Sequence, residues 1–227
     1  MADLLVIVPS RGRPHNIAAL WDEAWLPNTT DAAHLLVAVD QDDPALFDYQ
    51  DVCNERGIHW EVGGRLRLVG TLNAVARAHA PDYFALAFIG DDHRPRTARW
   101  NERIVSALRE MGTGIVYGDD LVWGPDLPTA AAMTSDIVQT LGWMAPPCLE
   151  HLWVDNAWKE LGQAVDRLRY LPDVVIEHMH PIVGKAAQDE RYDDVNSPRV
   201  VGRDSAAYEQ WKANDLPRDA EKLRALL

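Results

Sequence analysis

Residues 83–93 read YFALAFIGDDH, and they indicate the fold of this 227-residue chain more clearly than any other segment. The first seven residues, 83–89, form a continuous apolar run of strand length, which is typical of a strand buried on both faces of a parallel sheet. Two adjacent carboxylates, Asp91 and Asp92, follow as soon as this run ends. Ligands of open α/β sheets bind beyond the carboxyl ends of the strands, so the stretch predicts a buried strand and a polar site at its end.

The same order, an apolar run followed by polar residues, recurs on both sides of this stretch. Helical segments separate the runs, and such alternation favours an α/β fold in which a mostly parallel, Rossmann-like central sheet is flanked by helices. Strands are predicted at 4–8, 34–39, 58–62, 83–89 and 114–117, and helices at 17–25, with Asn16 as N-cap, and at 46–56, 72–79 and 97–111.

The second half of the sequence is less regular. We predict a loop or edge strand at 125–133, short helices at 135–141 and 151–161, a strand at 174–180 and a final helix from about Ala206. No internal repeat or low-complexity linker is visible. The sequence therefore favours one main domain, residues 1–185, followed by a polar C-terminal tail or lid, residues 186–227.

Composition narrows the classes of partner. The net charge of -13 disfavours passive binding to nucleic acid, because phosphate binding depends on Lys and Arg. The two cysteines, Cys53 and Cys148, lie outside any metal-binding spacing and are expected to be reduced thiols. No signal peptide and no apolar stretch of membrane-spanning length is recognised, so we expect a cytoplasmic protein.

The adjacent carboxylates Asp91 and Asp92 indicate a cation site. Two neighbouring negative charges repel each other, and a bound ion relieves that repulsion. Carboxylate oxygens are the ligands that Mg²⁺ and Mn²⁺ prefer, and these ions in turn bridge diphosphates. The alternative is structural, since acidic residues before a helix also interact favourably with its dipole.

Several motifs, in order along residues 4–185, resemble those of the GT-A glycosyltransferases, and most closely the family-2-like enzymes, which include small bacteriophage versions. This resemblance implies the GT-A fold and transfer of a sugar from a nucleotide-diphosphate donor, with UDP favoured, to an acceptor hydroxyl. It also implies dependence on Mn²⁺ or Mg²⁺. The motifs are PSRGRP, VDQDDP, FIGDDHRPRTARW, HLWVD and EHMH.

The resemblance implies nucleotide-binding roles for residues at the first two strand ends. Pro9, Arg11 and Arg13 match the loop that lies along the nucleotide, and guanidinium groups suit phosphate. Asp40 matches the acidic residue that meets the base or ribose. The structural alternatives are solvated loop arginines and, for Asp40, an Asx turn.

Further residues complete the expected donor site. Asp92 is assigned to the metal and Asp91 to the ribose or a bridging water, although Gly90 stands where a third carboxylate is usual in such motifs. Arg65 and Asn73, on either side of the start of the predicted helix at 72–79, could reach the nucleotide.

Asp155 is the expected general base. In inverting enzymes of this family an acidic residue near this point takes the proton from the acceptor hydroxyl, and a helix from residue 151 would place His151 and Asp155 on one face. Family members usually carry two acids in a row, whereas Asn156 follows Asp155 here. The alternative is an ordinary aspartate on a helix surface.

His178 and His180 are the expected late metal ligands. Alternation along a strand puts both on one face, and neutral imidazole is a suitable Mn²⁺ ligand. The sequence does not separate the two, with a slight preference for His180. The alternative is a pair of histidines packed at a sheet edge.

A nucleotidyltransferase and a non-catalytic binding module are the alternatives to a glycosyltransferase. A sugar-nucleotide nucleotidyltransferase would carry a Gly-rich loop and a following Lys after the first strand, and PSRGRP lacks both. A non-catalytic nucleotide-sugar binding module would have lost the metal or base positions. The acceptor stays open among a modified DNA base, a protein and a glycan. Weaker candidates are Asp119 and Asp120, the tryptophans Trp123, Trp143 and Trp153, and a closing loop with Lys185, Asp189 and Tyr192.

Overall fold

The computed structural model describes residues 3–180, 183–185 and 195–227, and its strands form one eight-stranded mixed sheet. The strand order is β3-β2-β1-β4-β7-β6-β8-β5, with parallel pairing among the first four strands and between β6 and β8. The strands are β1 Leu4–Ser10, β2 Ala33–Asp40, β3 His59–Gly63, β4 Ala85–Phe88, β5 His93–Pro95, β6 Ile115–Asp119, β7 Ala131–Thr134 and β8 Leu168–His178.

Helices cover both faces of this sheet, which confirms the predicted α/β fold. A π-helical turn, Trp21–Trp25, joins the first two helices. Among the described residues, no helix is both long and apolar enough to cross a bilayer. The helices are α1 Pro14–Leu20, α2 Leu26–Asn28, α3 Leu46–Arg56, α4 Arg67–His79, α5 Trp100–Met111, α6 Ser135–Leu141, α7 Val154–Ala164, α8 Pro198–Asn214 and α9 Leu216–Arg224.

The continuous apolar run of β1 is explained by burial on both faces. Leu5 and Ile7 pack into the core under α4, α6, α7, α8 and α9, while Leu4, Val6 and Val8 pack into the core under α1, α3 and α5. All five side chains are at most 2% exposed. Because successive strand residues point to opposite faces, a strand between two helical layers needs apolar residues at every position.

Some element boundaries differ from the sequence prediction. The first helix begins at Pro14 rather than at residue 17, so Asn16 is not its N-cap. The fourth helix begins at Arg67 instead of residue 72. Proline at the first helical turn favours the earlier start of α1, because its missing N–H needs no partner there.

The region expected to be a loop or edge strand contains β7, which lies in the middle of the sheet. β7 pairs antiparallel with both β4 and β6, and its four residues are all buried. Its sequence, AAMT, is short and poor in β-branched residues, so it gives little strand signal. β8 is likewise longer than predicted, since it begins at Leu168.

The C-terminal part contains two helices where one was predicted from about Ala206. Each begins with proline in its first turn, Pro198 in α8 and Pro217 in α9. Their apolar residues, including Trp211 and Leu223, join the same core as α6 and α7. The division of the chain at residue 185 stays a prediction.

Candidate active site

A cleft with a volume of about 290 Å³ lies at the carboxyl ends of β1, β2 and β4 and reaches the end of β8 and the start of α7. It gathers most of the predicted site residues, although they are spread over 172 positions of sequence, from residue 9 to residue 180. Those that line it are Pro9, Arg11, Arg13, Asp40, Asp91, Asp92, Asp155, His178 and His180.

Salt bridges tie the loop after β1 to the end of β2. Arg11 Nη1 lies 3.0 Å from Asp40 Oδ2 and 2.6 Å from Asp42 Oδ1. The backbone N–H of Gly12 donates to the Asp43 carboxylate at 2.8 Å. The predicted nucleotide residues Arg11 and Asp40 therefore contact each other, and they border one side of the cleft together.

Asp91 contacts the end of β1 and the residues that follow it. Its carboxylate accepts hydrogen bonds from Ser10 Oγ at 2.6 Å and Asn16 Nδ2 at 3.3 Å, and Arg13 Nη1 lies 3.5 Å away. Burial raises the pKa of Asp91, and the neighbouring charge of Asp92 acts in the same direction. These contacts favour a positioning role, whereas the predicted contact of Asp91 with ribose stays a prediction.

Asp92 forms a cluster with two histidines. Asp92 Oδ1 lies 3.2 Å from His93 Nδ1, and Asp92 Oδ2 lies 3.4 Å from His178 Nε2. The two imidazole rings stack with their centroids 4.2 Å apart. One ligand atom from each of the three residues lies within 4.8 Å of the others. Ligands at about 2.1–2.3 Å from one ion lie about 3–4.5 Å apart, so this spacing is compatible with a shared cation.

The donor atoms of the cluster also fit a metal. The second nitrogen of each ring, His93 Nε2 and His178 Nδ1, does not face Asp92, is buried and has no hydrogen-bond partner within the described part of the chain. Asp92 keeps a quarter of its side chain exposed, which leaves room for further ligands. A carboxylate with two imidazoles suits Mn²⁺ better than Mg²⁺, because Mg²⁺ prefers oxygen ligands.

Electrostatics in the cluster favour a negatively charged Asp92. Burial alone would raise the pKa of Asp92, but hydrogen bonds with His178 and His93 outweigh it and hold that pKa well below its usual value. Burial lowers the pKa of His93, whereas the Asp92 carboxylate overcomes burial and raises the pKa of His178. A lasting carboxylate charge is what a cation site requires.

His93 is a cluster member that the sequence prediction missed. It begins β5, a strand of three residues that pairs antiparallel with β8 and places His93 opposite His178. The only sequence signal was its position directly after Asp92. His180 lines the cleft beside His178, with ring centroids 4.8 Å apart, but it does not belong to the cluster. The geometry therefore favours His178 over His180 as metal ligand.

Asp155 reaches the cleft from the first turn of α7. That helix begins at Val154, so His151 lies before it and the predicted helical pairing of His151 with Asp155 is wrong. The residue before the helix, Trp153, has a left-handed backbone with φ 61. Burial raises the pKa of Asp155 to about 7, and the charge of Asp120 adds to this effect while that of His178 opposes it.

Two predicted nucleotide residues do not line the cleft. Asn73 is 3% exposed, and its side chain donates to the Ala145 carbonyl and accepts from the Met144 and Ala145 N–H groups. It therefore fixes a buried turn. Arg65 lies 3.7 Å from Asp42, which in turn binds Arg11. Arg65 is therefore connected through Asp42 to Arg11, which lines the cleft, but does not line the cleft itself.

The closing-loop candidates can be followed only in part. Lys185 Nζ donates to Glu177 Oε1 at 2.7 Å, beside the end of β8. Asp189 and Tyr192 lie outside the described residues. Val195 and Asn196, just before α8, line the cleft.

A buried aspartate that sequence reasoning missed supports the segment leading to Asp155. Asp204, on α8, is 0% exposed. Its carboxylate accepts the backbone N–H groups of Glu150, His151 and Leu152 at 2.8–3.3 Å. A single aspartate in a polar C-terminal stretch gives no sequence signal of such a contact.

No protein-family model and no curated protein matches this chain. Solved structures do match. The mannosyltransferase PcManGT from Pyrobaculum calidifontis, in complex with GDP-Man and Mn²⁺, has a TM-score of 0.61 at 13% identity, over 98% of this chain and 73% of its own. S. aureus TarS 1-349, in complex with UDP-GlcNAc, has a TM-score of 0.58 at 12% identity, over 91% of this chain and 71% of its own. The chain thus has the fold of these glycosyltransferases.

Proposed function

We propose that this chain is a metal-dependent glycosyltransferase that moves a sugar from a nucleotide-diphosphate donor to an acceptor hydroxyl with inversion. One observation carries the proposal. The Asp92–His93–His178 cluster and Asp155 line the same cleft, at the strand ends of a sheet that has a glycosyltransferase fold. This transfer needs a cation that neutralises charge on the leaving diphosphate and a base that removes the acceptor's proton. The cluster could hold the cation, and a carboxylate of near-neutral pKa in the same cleft could serve as the base.

Asp155 is proposed as the general base. The acceptor hydroxyl oxygen attacks the anomeric carbon from the face opposite the diphosphate and forms the new C–O bond, while its proton passes to the Asp155 carboxylate. The bond from the anomeric carbon to the diphosphate oxygen breaks, and the diphosphate leaves with the electron pair. A base whose pKa lies near 7 is about half ionised at neutral pH and is basic enough to accept the proton.

Asp92, His93 and His178 are proposed as the protein ligands of Mn²⁺. A bound Mn²⁺ would neutralise the negative charge that develops on the departing diphosphate. Arg13, which lines the same cleft, is proposed to contact the diphosphate, since guanidinium groups bind phosphate oxygens. Arg11 and Asp40 are proposed to contact the nucleoside as a bonded pair.

UDP is the proposed nucleotide. TarS is solved with UDP-GlcNAc, whereas the Pyrobaculum mannosyltransferase is solved with GDP-Man, so GDP is the competing choice. A thermal-shift panel of UDP- and GDP-sugars with Mn²⁺ would decide between them, because a ligand that binds only the folded chain raises its Tm. A larger shift with GDP-sugars would contradict the UDP assignment.

Calorimetry of UDP binding with and without Mn²⁺ tests the metal site. Asp92→Ala removes the carboxylate that both histidines contact, so we expect Mn²⁺-dependent UDP affinity to fall by about tenfold or more. Asp48→Ala, on α3, removes an exposed carboxylate elsewhere and serves as the control, with unchanged affinity. Equal UDP affinity of the wild-type chain with and without Mn²⁺ would contradict the metal assignment.

A further inference from the structure

The segment 120–126, which we call the Trp123 loop, exposes two large apolar side chains. Leu121 is 48% and Trp123 is 43% exposed, in a loop that directly follows β6. Exposure of a tryptophan and a leucine within three residues is unfavourable in water, and such exposed apolar side chains often mark a binding surface.

Buried polar contacts hold the Trp123 loop in place. The Asp120 carboxylate, 2% exposed, accepts the backbone N–H groups of Val122, Trp123 and Gly124 at 2.7–3.0 Å. Its second oxygen accepts from Thr129 Oγ1 at 2.8 Å. One carboxylate thus uses four hydrogen bonds to orient the backbone that carries the exposed indole.

The loop also retains an unfavourable backbone conformation. Leu121 has φ 60, in the left-handed region that a branched side chain rarely occupies. Its N–H donates to Asp119 Oδ1 at 2.9 Å. Such conformations cost about 1–3 kcal/mol and are found where surrounding contacts enforce them, often at ligand-binding sites.

The position of the Trp123 loop relates it to the proposed base. The Tyr117 hydroxyl donates to the Pro125 carbonyl, and Lys159 Nζ donates to the Asp126 carbonyl, both at 2.7 Å. Lys159 lies four residues after Asp155 on α7, so the two share a helix face. One hydrogen bond therefore links the end of the loop to the face of α7 that carries Asp155. At the start of the loop, Asp120 binds Thr129, which lines the cleft.

We propose that the Trp123 loop is an acceptor subsite for a neutral carbohydrate, in which the Trp123 indole stacks on the C–H face of a pyranose ring. This proposal rests on the proposed transferase function, since an acceptor whose hydroxyl meets Asp155 would extend over this loop. A flat, rigid aromatic surface loses little conformational entropy on binding, and Leu121 widens the apolar area beside it.

Charge favours a neutral glycan over a nucleic acid. The loop contains the exposed Asp126 and follows Asp119, and no Lys or Arg lies within 120–126. Lys159, a cation that contacts the loop, binds the Asp126 carbonyl. A chain with a net charge of -13 and an acidic loop repels a phosphate backbone, whereas uncharged hydroxyl groups can donate hydrogen bonds to these carboxylates.

Saturation-transfer NMR with four disaccharides (lactose, maltose, cellobiose and chitobiose) tests the subsite without any donor. We expect at least one to receive saturation on its ring protons from the wild-type chain. Trp123→Ala should weaken that binding by about fivefold to tenfold, while Trp123→Phe should restore most of it. Phe47→Ala is the matched control, because Phe47 is 79% exposed on α3, and its loss should change nothing.

Three outcomes would overturn the subsite. No disaccharide binds, or Trp123→Ala binds as well as the wild-type chain, or a single-stranded oligodeoxynucleotide binds where no disaccharide does. UDP calorimetry with Mn²⁺ on Trp123→Ala keeps the two proposals apart. We expect its UDP affinity to equal that of the wild type. If neither the wild type nor Trp123→Ala binds UDP, the transferase proposal is contradicted. If both bind UDP but the wild type binds no disaccharide, only the subsite is contradicted.

Discussion

Burial raises the pKa of Asp155 to about 7, so this side chain changes charge in the pH range used for most assays. Only the carboxylate accepts a proton. We therefore expect kcat/KM for transfer to rise with pH, to be half-maximal at about pH 7 and to level off about one pH unit higher. Asp155→Asn should lower kcat by about 10²–10⁴-fold while UDP binding persists. Release of UDP in the presence of acceptor, measured across this pH range, checks both expectations.

Thermal unfolding of the same variant separates a chemical role from a folding defect. The folded pKa of Asp155 lies above its unfolded value near 4, so the wild-type chain loses stability as pH rises from about 4 to about 7. Asn carries no such charge. We expect Asp155→Asn to melt higher than the wild type at pH 8 and no higher at pH 4. Retained transfer activity would remove Asp155 as the base.

Individual residues were predictable where their position in a motif gave the signal. Asp92, Asp155 and His178 follow recognisable runs, and all three line the cleft. His93 was missed because its role depends on pairing across the sheet, which local sequence does not report. Asn73 was misplaced because a polar residue inside a helix can equally bind buried backbone, as it does at Met144 and Ala145.

At the scale of elements, one carboxylate, that of Asp204, joins α8 to the segment before α7. Asp204→Ala would leave three half-buried backbone N–H groups without their acceptor, at a cost of roughly 2–4 kcal/mol. For a chain of this size that corresponds to a loss of about 5–15 °C in Tm. Calorimetric melting measures it directly.

Two further variants control this prediction. Asp204→Asn keeps one acceptor oxygen and should lose less stability than Asp204→Ala. Glu209→Ala removes an exposed acid from the same helix and should change Tm by no more than about 2 °C. Equal Tm values for Asp204→Ala and Glu209→Ala would show that the buried contacts do not stabilise the fold.

Elements with a strong local pattern were predicted, whereas two of the shortest strands, β5 and β7, were not. The apolar runs of β1 and β2 and the Gly57 end of α3, at φ 66, each leave a local signature. β5 has three residues, one of them proline, and β7 has four residues, of which only Thr134 is β-branched. Such strands are stabilised by their neighbours rather than by their own propensity.

At the scale of the whole molecule, the cleft is lined by residues from both halves of the sheet. The half made of β3, β2, β1 and β4 is parallel and contributes Arg11, Arg13 and Asp40. The half made of β7, β6, β8 and β5 is mixed and contributes the histidines. The rule that ligands bind beyond strand ends predicted the first half, while the second depends on antiparallel pairings of distant segments.

β5 is the last strand of the sheet, and its pairing with β8 aligns His93 with His178. An ion shared by Asp92, His93 and His178 would therefore act as a cross-link between β5 and its neighbour β8. Local opening of that edge would require the ion to leave. We expect Mn²⁺ to slow amide hydrogen exchange in β5 and at the end of β8, but not in β3 at the opposite edge, and to lose this effect in Asp92→Ala. Unchanged exchange would contradict it. The bound cation would thus make separation of β5 from β8 less frequent. Because an opened sheet edge exposes unpaired backbone, this would also slow edge-to-edge association of chains.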